Sequence, residues 1–187
     1  MEHHNSEQEE FLNEVLLSIK RSQSILENFT NLYKGSTSYE AVDIIKLINE
    51  VFTLTKSESR HLKKEIFCST NNLMFNTNPT WFAQIIFNLV INSAQASKDI
   101  PKANLKVSLE ISQGFLILNF EDNGPGISTE DSAEAFKAFY TTKEKGTGLG
   151  LAICKSLTSK LKGSIQYLNN DKGAHFLLKL PYESSSN

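Results

Sequence analysis

The spacing of apolar side chains near the start of the chain predicts one long amphipathic helix. Residues 6–34 contain no proline or glycine, and large apolar residues recur at three- and four-residue intervals. They form two neighbouring stripes, Leu12, Leu16, Ile19, Leu26 and Tyr33 in one and Phe11, Val15, Ile25, Phe29 and Leu32 in the other. A face this wide is typical of a helix in a bundle or of one docked on a domain. Gly35 ends the pattern, so we predict a helical segment at 1–35 and a separate domain at 36–187.

Beyond Gly35 the pattern alternates between helical and strand periodicity. We predict strands at about 39–42, 63–69, 73–75, 104–111, 115–121, 164–168 and 174–180. Helices are predicted at about 44–56, from Pro79 onward, and at about 148–162. The pair Gln113-Gly114 indicates a β-hairpin turn. This interleaving predicts an α+β fold, a two-layer α/β sandwich in which a mainly antiparallel mixed sheet carries helices on one face.

The side chains within these elements are predicted to form one core. On the helix that begins at Pro79, the residues expected to point inward are Trp81, Ile85, Leu89 and either Ile86 or Val90. The two cysteines, Cys68 and Cys154, fall in apolar stretches and are expected to be reduced core thiols.

Composition excludes several broad classes of protein. The 187 residues include 40% hydrophobic side chains, enough for one sizeable core and a helical extension. A net charge of −2 gives no reason to expect nucleic acid or an anionic membrane as a partner. No signal peptide and no run of about 18 apolar residues is present, so we expect a cytoplasmic protein, or the cytoplasmic portion of a membrane-bound sensor.

Two asparagines and two glycine-rich stretches suggest a site for Mg-ATP. Asn88 and Asn92 are four residues apart, which places both side chains on one helix face. A carboxamide oxygen is a neutral, hard ligand suited to Mg²⁺ bound to phosphates. The sequences DNGPGI at 122–127 and GTGLG at 146–150 provide main-chain N–H groups without an obstructing Cβ, the second of them at a helix start.

In order and spacing these blocks resemble the ATP-binding catalytic domain of bacterial sensor histidine kinases. That domain belongs to the superfamily shared with DNA gyrase, Hsp90-type chaperones and MutL-like repair proteins. The N box resembles Gln84–Ala96, the first glycine box Asp122–Ile127, the aromatic box Phe136–Lys143 and the second glycine box Gly146–Gly150. The match runs from about residue 38 to the C-terminus, and it implies a Bergerat-type ATP-binding fold preceded by one long helix.

The resemblance implies a role for each matching residue. Asp122, expected at the edge of the sheet, would accept a hydrogen bond from the adenine amine. Asn92 would bind Mg²⁺, Asn88 would contact the metal, its water or a phosphate, and Lys143 would contact phosphate from a lid at 128–145. Asn88 and Lys143 are thus the implied catalytic residues. The implied nucleotide-binding set is Asn88, Asn92, Asp122, Gly124, Gly126, Ile127, Thr142, Lys143, Gly146, Thr147, Gly148, Leu149 and Gly150.

Three aromatic residues are expected to form the hinge of the lid. Two other positions depart from the family pattern. Phe136, Phe139 and Tyr140 are the expected hydrophobic hinge. Ala138 stands where the aromatic box usually has proline, which would loosen the entry to the lid. Ala174 follows Gly173 where threonine is common, which removes the expected water-mediated contact near adenine. Neither change touches the metal or phosphate positions, so nucleotide binding is expected.

The phosphoacceptor histidine of the family is not evident in this chain. Its His-Glu/Asp-x-x-Asn/Thr-Pro pattern is not found around His3, His4, His61 or His175. The helix at 6–34 resembles the second helix of the family's dimerisation hairpin. The implied partners are therefore a histidine-bearing dimerisation domain, from a missing segment or another chain, a response regulator receiver domain and a second copy bound through this helix.

Three classes of function fit the sequence. The favoured one is the catalytic module of a histidine kinase, with a serine-kinase anti-sigma factor as a weaker variant. A second is an ATP-hydrolysing clamp, which the resemblance disfavours because that class has a Glu base where this chain has Asn88, and a carboxamide cannot take a proton from water. A third is a non-catalytic dimerisation or adaptor module, which the intact metal and glycine positions disfavour.

Overall fold

The computed structural model describes residues 38–143, 146–168 and 172–182. The chain divides into two units, Met1–Ser36 and Thr37–Asn187, and every described residue belongs to the second. The predicted helix at 6–34, the boundary at Gly35 and the residues His3 and His4 lie outside the described residues.

The described residues contain every strand and helix predicted beyond Gly35, each end within about two residues of its expected position. The elements, in order, are β1 Glu40–Asp43, α1 Ile44–Leu54, β2 Lys63–Cys68, β3 Met74–Thr77, α2 Pro79–Ala96, β4 Asn104–Ser112, β5 Phe115–Asp122, α3 Thr129–Ser132, α4 Gly150–Lys160, β6 Ser164–Leu168 and β7 His175–Pro181. The single helical turn α3 was not predicted, because four residues are too few to show a period.

The main sheet is mixed and has five strands in the order β2-β4-β5-β7-β6. Strand β2 pairs in parallel with β4, and the other pairs are antiparallel; β1 and β3 form a separate two-stranded sheet. Alternate residues of β5, namely Leu116, Leu118, Phe120 and Asp122, are buried, as expected for a strand with one face in the core. Helices α1, α2 and α4 fill the same core, which confirms the predicted α+β fold.

Strand order corrects one expectation about the site. Asp122 was expected at the sheet edge, but β5 is the central strand of the five, and Asp122 is its last residue. The carboxylate therefore projects from the middle of the sheet, at the end of a strand paired on both sides.

Local sequence fixes the start of α2 and the turn of the β4–β5 hairpin. The Asn78 side chain accepts a hydrogen bond from the N–H of Trp81 at 3.0 Å, and Pro79 occupies the first helical turn. Gln113 and Gly114 have φ angles of 51° and 75°, the left-handed conformation that a two-residue hairpin turn of this kind requires.

Helix α2 buries one broad face of apolar side chains. Ile85, Ile86, Leu89 and Val90 are all fully buried, so both of the alternative inward positions belong to the core. Trp81, expected to point inward, is only half-buried. It lies in the first turn, where Tyr39 packs edge-on against its ring and the ammonium of Lys160 lies 5.2 Å from its centre.

The two cysteines differ in burial. The thiol of Cys154, on α4, is fully buried, and burial raises its pKa. Cys68 is only half-buried because β2 is an edge strand, so the expectation of a core thiol is wrong there. Within the described ranges, none of the helices has the length and apolar character needed to cross a membrane.

Candidate functional site

The carboxylate of Asp122 is buried and accepts three hydrogen bonds. It is 6% exposed, and both of its oxygens accept hydrogen bonds. Oδ1 accepts from the main-chain N–H of Gly124 at 3.0 Å and from that of Ala174 at 3.1 Å, while Oδ2 accepts from Ser93 Oγ at 2.7 Å. Burial of a carboxylate requires such donors. Segments after β5, before β7 and on α2 therefore meet at this one side chain.

Glycine is required where β7 approaches Asp122. Gly173 has φ = 138°, and a Cβ there would lie 1.9 Å from the Asp122 carbonyl oxygen. The N–H of Asp122 in turn donates to the Ala174 carbonyl at 3.0 Å. The close backbone contact that brings the Ala174 N–H to the carboxylate thus depends on the missing Cβ of Gly173.

The first glycine stretch is tied to β6 by one tyrosine. Tyr167 Oη accepts a hydrogen bond from the N–H of Ile127 at 3.0 Å and donates to its carbonyl at 3.2 Å. Gly126 has φ = 73°, and a Cβ there would lie 3.3 Å from the same hydroxyl. A Cβ at Gly124 would lie 3.1 Å from Asp122 Oδ1. The segment is therefore fixed close to the carboxylate.

The structure brings the two predicted asparagines together at the start of α4. A Cβ at Gly150 would lie 3.6 Å from Asn88 Oδ1, 3.6 Å from Asn92 Nδ2 and 3.7 Å from Asn92 Oδ1. Asn88 Nδ2 donates to the Gln84 carbonyl at 3.0 Å, which leaves its oxygen as the outward acceptor. Two carboxamides and the N-terminus of an 11-residue helix therefore face the same space.

The aromatic segment and the second glycine stretch are held against each other. The N–H of Phe139 donates to the Gly148 carbonyl at 3.0 Å. Gly148 has φ = 66°, and a Cβ there would lie 2.4 Å from the Phe139 carbonyl carbon. A Cβ at Gly146 would likewise lie 2.3 Å from Thr141 Oγ1. At Gly148 the missing Cβ permits this backbone contact, whereas a Cβ at Gly146 would require the Thr141 side chain to move.

Only part of the expected aromatic hinge is packed. Phe136 lies edge-on to Phe176 with ring centres 6.3 Å apart. Phe139 is 76% exposed and has φ = 67°, so the expectation that it packs in a hinge is wrong. Tyr140 instead donates a hydrogen bond to Asp131. Hydrogen bonds from Ser128 and Tyr140 lower the pKa of Asp131, and Asp131 in turn raises the pKa of Tyr140.

Lys143 is half-buried and lies against α2. Its ammonium donates to Gln95 Oε1 at 3.0 Å. Burial lowers the pKa of Lys143, and the opposing attraction of the Asp122 carboxylate partly offsets that change. The neighbouring Thr142 is exposed, as is Thr147, whose hydroxyl accepts from the N–H of Leu149 at 3.4 Å. Lys143 is the one of these three that the structure brings close to Asp122.

Sequence reasoning missed three residues of this region. Ser93, Gln95 and Tyr167 contact Asp122, Lys143 and Ile127 respectively. The only available signal was position, because Ser93 directly follows Asn92 and Gln95 is three residues beyond it.

The two described histidines are engaged elsewhere. His61 Nε2 lies 2.9 Å from the Ala94 carbonyl, and His175 Nε2 lies 2.9 Å from Asn119 Oδ1 and 3.8 Å from Glu121.

Comparison with known proteins connects this geometry to one family. Residues 77–184, more than half of the chain, match the family described as histidine kinase-, DNA gyrase B- and HSP90-like ATPase. The C4-dicarboxylate transport sensor protein DctB of Rhizobium meliloti is 37% identical over 97 residues, which cover 52% of this chain and 16% of that protein. Sporulation kinase C of Bacillus subtilis is 26% identical over 186 residues, covering 96% of this chain and 43% of the relative. The chain thus spans less than half the length of either relative.

A solved structure of a histidine kinase catalytic domain has a similar fold. The catalytic domain of histidine kinase ThkA superposes with a TM-score of 0.71 at 26% identity, over 78% of this chain and 97% of that one. The match in sequence extends through the site, from the start of α2 to the end of β7. The chain therefore belongs to the histidine kinase-, DNA gyrase B- and HSP90-like ATPase family and carries the ATP-binding catalytic domain of sensor histidine kinases.

Proposed function

We propose that this chain is the Mg-ATP-binding catalytic module of a two-component sensor histidine kinase. It would transfer the γ-phosphoryl group of ATP to a histidine that is not evident in this chain. The observation that carries the proposal is the arrangement along α2. Ser93 fixes the buried Asp122 carboxylate, and Asn88 and Asn92 face the start of α4. One helix thus holds the carboxylate suited to the adenine base and itself carries the carboxamides suited to the metal and phosphates.

Asp122 would read the adenine base. Its Oδ2 accepts a single hydrogen bond, from Ser93, and retains acceptor capacity for an exocyclic amine. Gly124, Gly126 and Ile127 would form the adjoining wall, which the Tyr167 hydroxyl holds in place.

The second glycine stretch and the asparagines would hold the triphosphate and its metal. Main-chain N–H groups of Gly146, Thr147, Gly148, Leu149 and Gly150 lie at or just before the α4 N-terminus, where the helix dipole favours anions. The carboxamides of Asn92 and Asn88 fit Mg²⁺ because they are neutral oxygen donors on one helix face beside that N-terminus. Bound Mg²⁺ would neutralise phosphate charge.

Catalysis would rest on positioning rather than on a protein base. Asn88 cannot accept a proton from a nucleophile, whereas an incoming imidazole is already nucleophilic near neutral pH. Lys143 and Thr142 would contact the phosphates, with Lys143 exchanging its bond to Gln95 for one to a phosphate oxygen. The carboxamide at Asn88 also makes an ATP-hydrolysing clamp less well supported. The intact metal and glycine positions disfavour a purely structural adaptor.

The proposed partners follow from the kinase assignment. ThkA has been solved in complex with the response regulator protein TrrA, in a structure that shares this fold at 20% identity. We propose a response regulator receiver domain and a histidine-bearing dimerisation domain as partners, a homodimer formed through residues 6–34, no nucleic acid partner, and a cytoplasmic location.

The decisive experiment is incubation with labelled Mg-ATP, first alone and then with a histidine-bearing hairpin from a related kinase. We expect acid-labile label on the hairpin and none on this chain. The Asn92→Ala variant, which lacks a proposed metal ligand, serves as the inactive control. Rapid ATP hydrolysis without transfer, or acid-stable label on the target, would contradict the proposal, as would robust self-labelling at His3 or His4.

A further inference from the structure

Ser93 contacts Asp122, whose carboxylate we propose binds the adenine base. Its side chain belongs to α2, is 3% exposed, and donates from Oγ to Asp122 Oδ2 at 2.7 Å. The residues in this contact are 29 positions apart in the chain. Among the described residues, Ser93 is the one side chain that hydrogen-bonds Asp122, because the other two donors are the main-chain N–H groups of Gly124 and Ala174.

The three donors divide unequally between the two oxygens. A carboxylate offers about four acceptor positions, roughly two on each oxygen. The N–H groups of Gly124 and Ala174 occupy those of Oδ1, and the Ser93 hydroxyl occupies one of those on Oδ2. One acceptor position therefore remains open on Oδ2, beside the serine oxygen.

We propose that Ser93 is a positioning and specificity-determining residue, which leaves Asp122 a single open acceptor position and thereby selects a purine bearing a 6-amino group. This inference rests on the proposed function. The 6-amino group of adenine donates a hydrogen bond and matches the open position. The 6-oxygen of guanine is an acceptor, so the lone pairs of the carboxylate and of Ser93 Oγ both repel it.

Because residue 174 is alanine, the hydroxyl of Ser93 matters more for holding Asp122. Ala174 contributes its N–H to Asp122 but has no hydroxyl. Replacing Ser93 with alanine would leave the buried carboxylate with main-chain donors on Oδ1 only and Oδ2 without a donor from the protein.

The chain provides a matched control on the same helix face. Ser97, one turn beyond Ser93, is also fully buried, but its Oγ donates at 2.5 Å to the carbonyl of Ser93 and makes no contact with Asp122. Ser97→Ala therefore removes a buried hydroxyl and a hydrogen bond of α2 without changing the donors on the carboxylate. Ser93→Thr keeps the hydroxyl and serves as the rescue.

The test is titration calorimetry with ATP, GTP and purine riboside triphosphate, which lacks the 6-amino group. Ser93→Ala should weaken ATP binding about tenfold, because a hydrogen bond to a charged group is lost, while leaving the affinity for the analogue nearly unchanged. The preference for ATP over GTP should shrink, Ser93→Thr should restore it, and Ser97→Ala should bind all three like the wild type.

Equal losses for ATP and for the analogue would overturn the inference, since they would mean that Ser93 only supports packing. If the folded wild type bound none of the three nucleotides, the proposed function itself would fail, and this inference would fail with it.

Discussion

The ammonium of Lys143 and the side-chain oxygen of Gln95 are joined by a 3.0 Å hydrogen bond, which holds the end of the aromatic segment on the last turns of α2. The bond connects residues 48 positions apart in the sequence. It places a cation within the electrostatic field of the Asp122 carboxylate. A triphosphate would compete for that cation.

Lys143→Ala should weaken ATP binding about tenfold and ADP binding less, because a cation that contacts the terminal phosphate is lost. The control is Lys137→Ala, which removes a lysine of the same segment that is paired with Glu134 at 2.5 Å. Calorimetry with both nucleotides measures the effect. Equal losses in the two variants would show that only general charge matters.

The pH dependence of ATP affinity should carry the signature of the same lysine. Burial lowers the pKa of Lys143, so its ammonium loses its proton at a lower pH than an ordinary lysine does. Affinity should therefore fall as pH rises through that lowered pKa. Lys143→Met should lack this alkaline limb, and a limb that persists in the variant would assign it to another group.

Asp122→Asn should nearly abolish adenine nucleotide binding. The substitution keeps the size of the side chain but replaces one acceptor oxygen by an NH₂ group, which clashes electrostatically with a donor. We expect a loss of at least about a hundredfold, since both the acceptor and the charge are removed. Unchanged calorimetric affinity in a folded variant would refute the adenine assignment.

Asn92→Ala should remove the magnesium dependence of nucleotide binding while leaving part of the ADP affinity. Asn49→Ala is the control, because it removes an exposed helical carboxamide of α1, which donates to the Ile45 carbonyl at 2.9 Å. Titration with and without Mg²⁺ distinguishes the two variants. A retained magnesium response in Asn92→Ala would place the metal elsewhere.

Gly148→Ala should destabilise the domain more than Gly114→Ala does. Both glycines have positive φ, at 66° and 75°, so both substitutions carry a backbone strain of about 1 kcal/mol. At Gly114 a Cβ meets nothing within 4 Å, whereas at Gly148 it would lie 2.4 Å from Phe139. Chemical denaturation gives the two free energies of unfolding. Equal losses in the two variants would show that the backbone at Phe139 can move away from the added Cβ at little cost.

The sequence predicted features that depend on local chemistry. The start of α2 follows from Asn78 and Pro79, and the hairpin turn follows from Gln113 and Gly114, because each is decided by residues a few positions apart. The convergence of Asn88 and Asn92 follows from helical spacing alone.

Features that depend on strand order or distant contacts could not be predicted. The central position of Asp122 in the sheet and the half-burial of Cys68 both follow from the order of the five strands, which no local pattern encodes. The hydrogen bonds of Ser93 and Gln95 join residues far apart in sequence. The solvent exposure of Phe139 follows from its left-handed backbone, which is unusual for an aromatic residue.

The donation from the Ala174 N–H to Asp122 also affects when the site can exist during synthesis. The residues that would contact adenine and phosphate have all been synthesised once Gly150 is added, but the segment that completes the carboxylate's surroundings lies more than twenty residues later. A nascent chain lacking that segment has an unfinished central sheet and an under-coordinated carboxylate. Nucleotide therefore becomes a ligand only after β7 has joined the sheet, and its binding then opposes detachment of that strand.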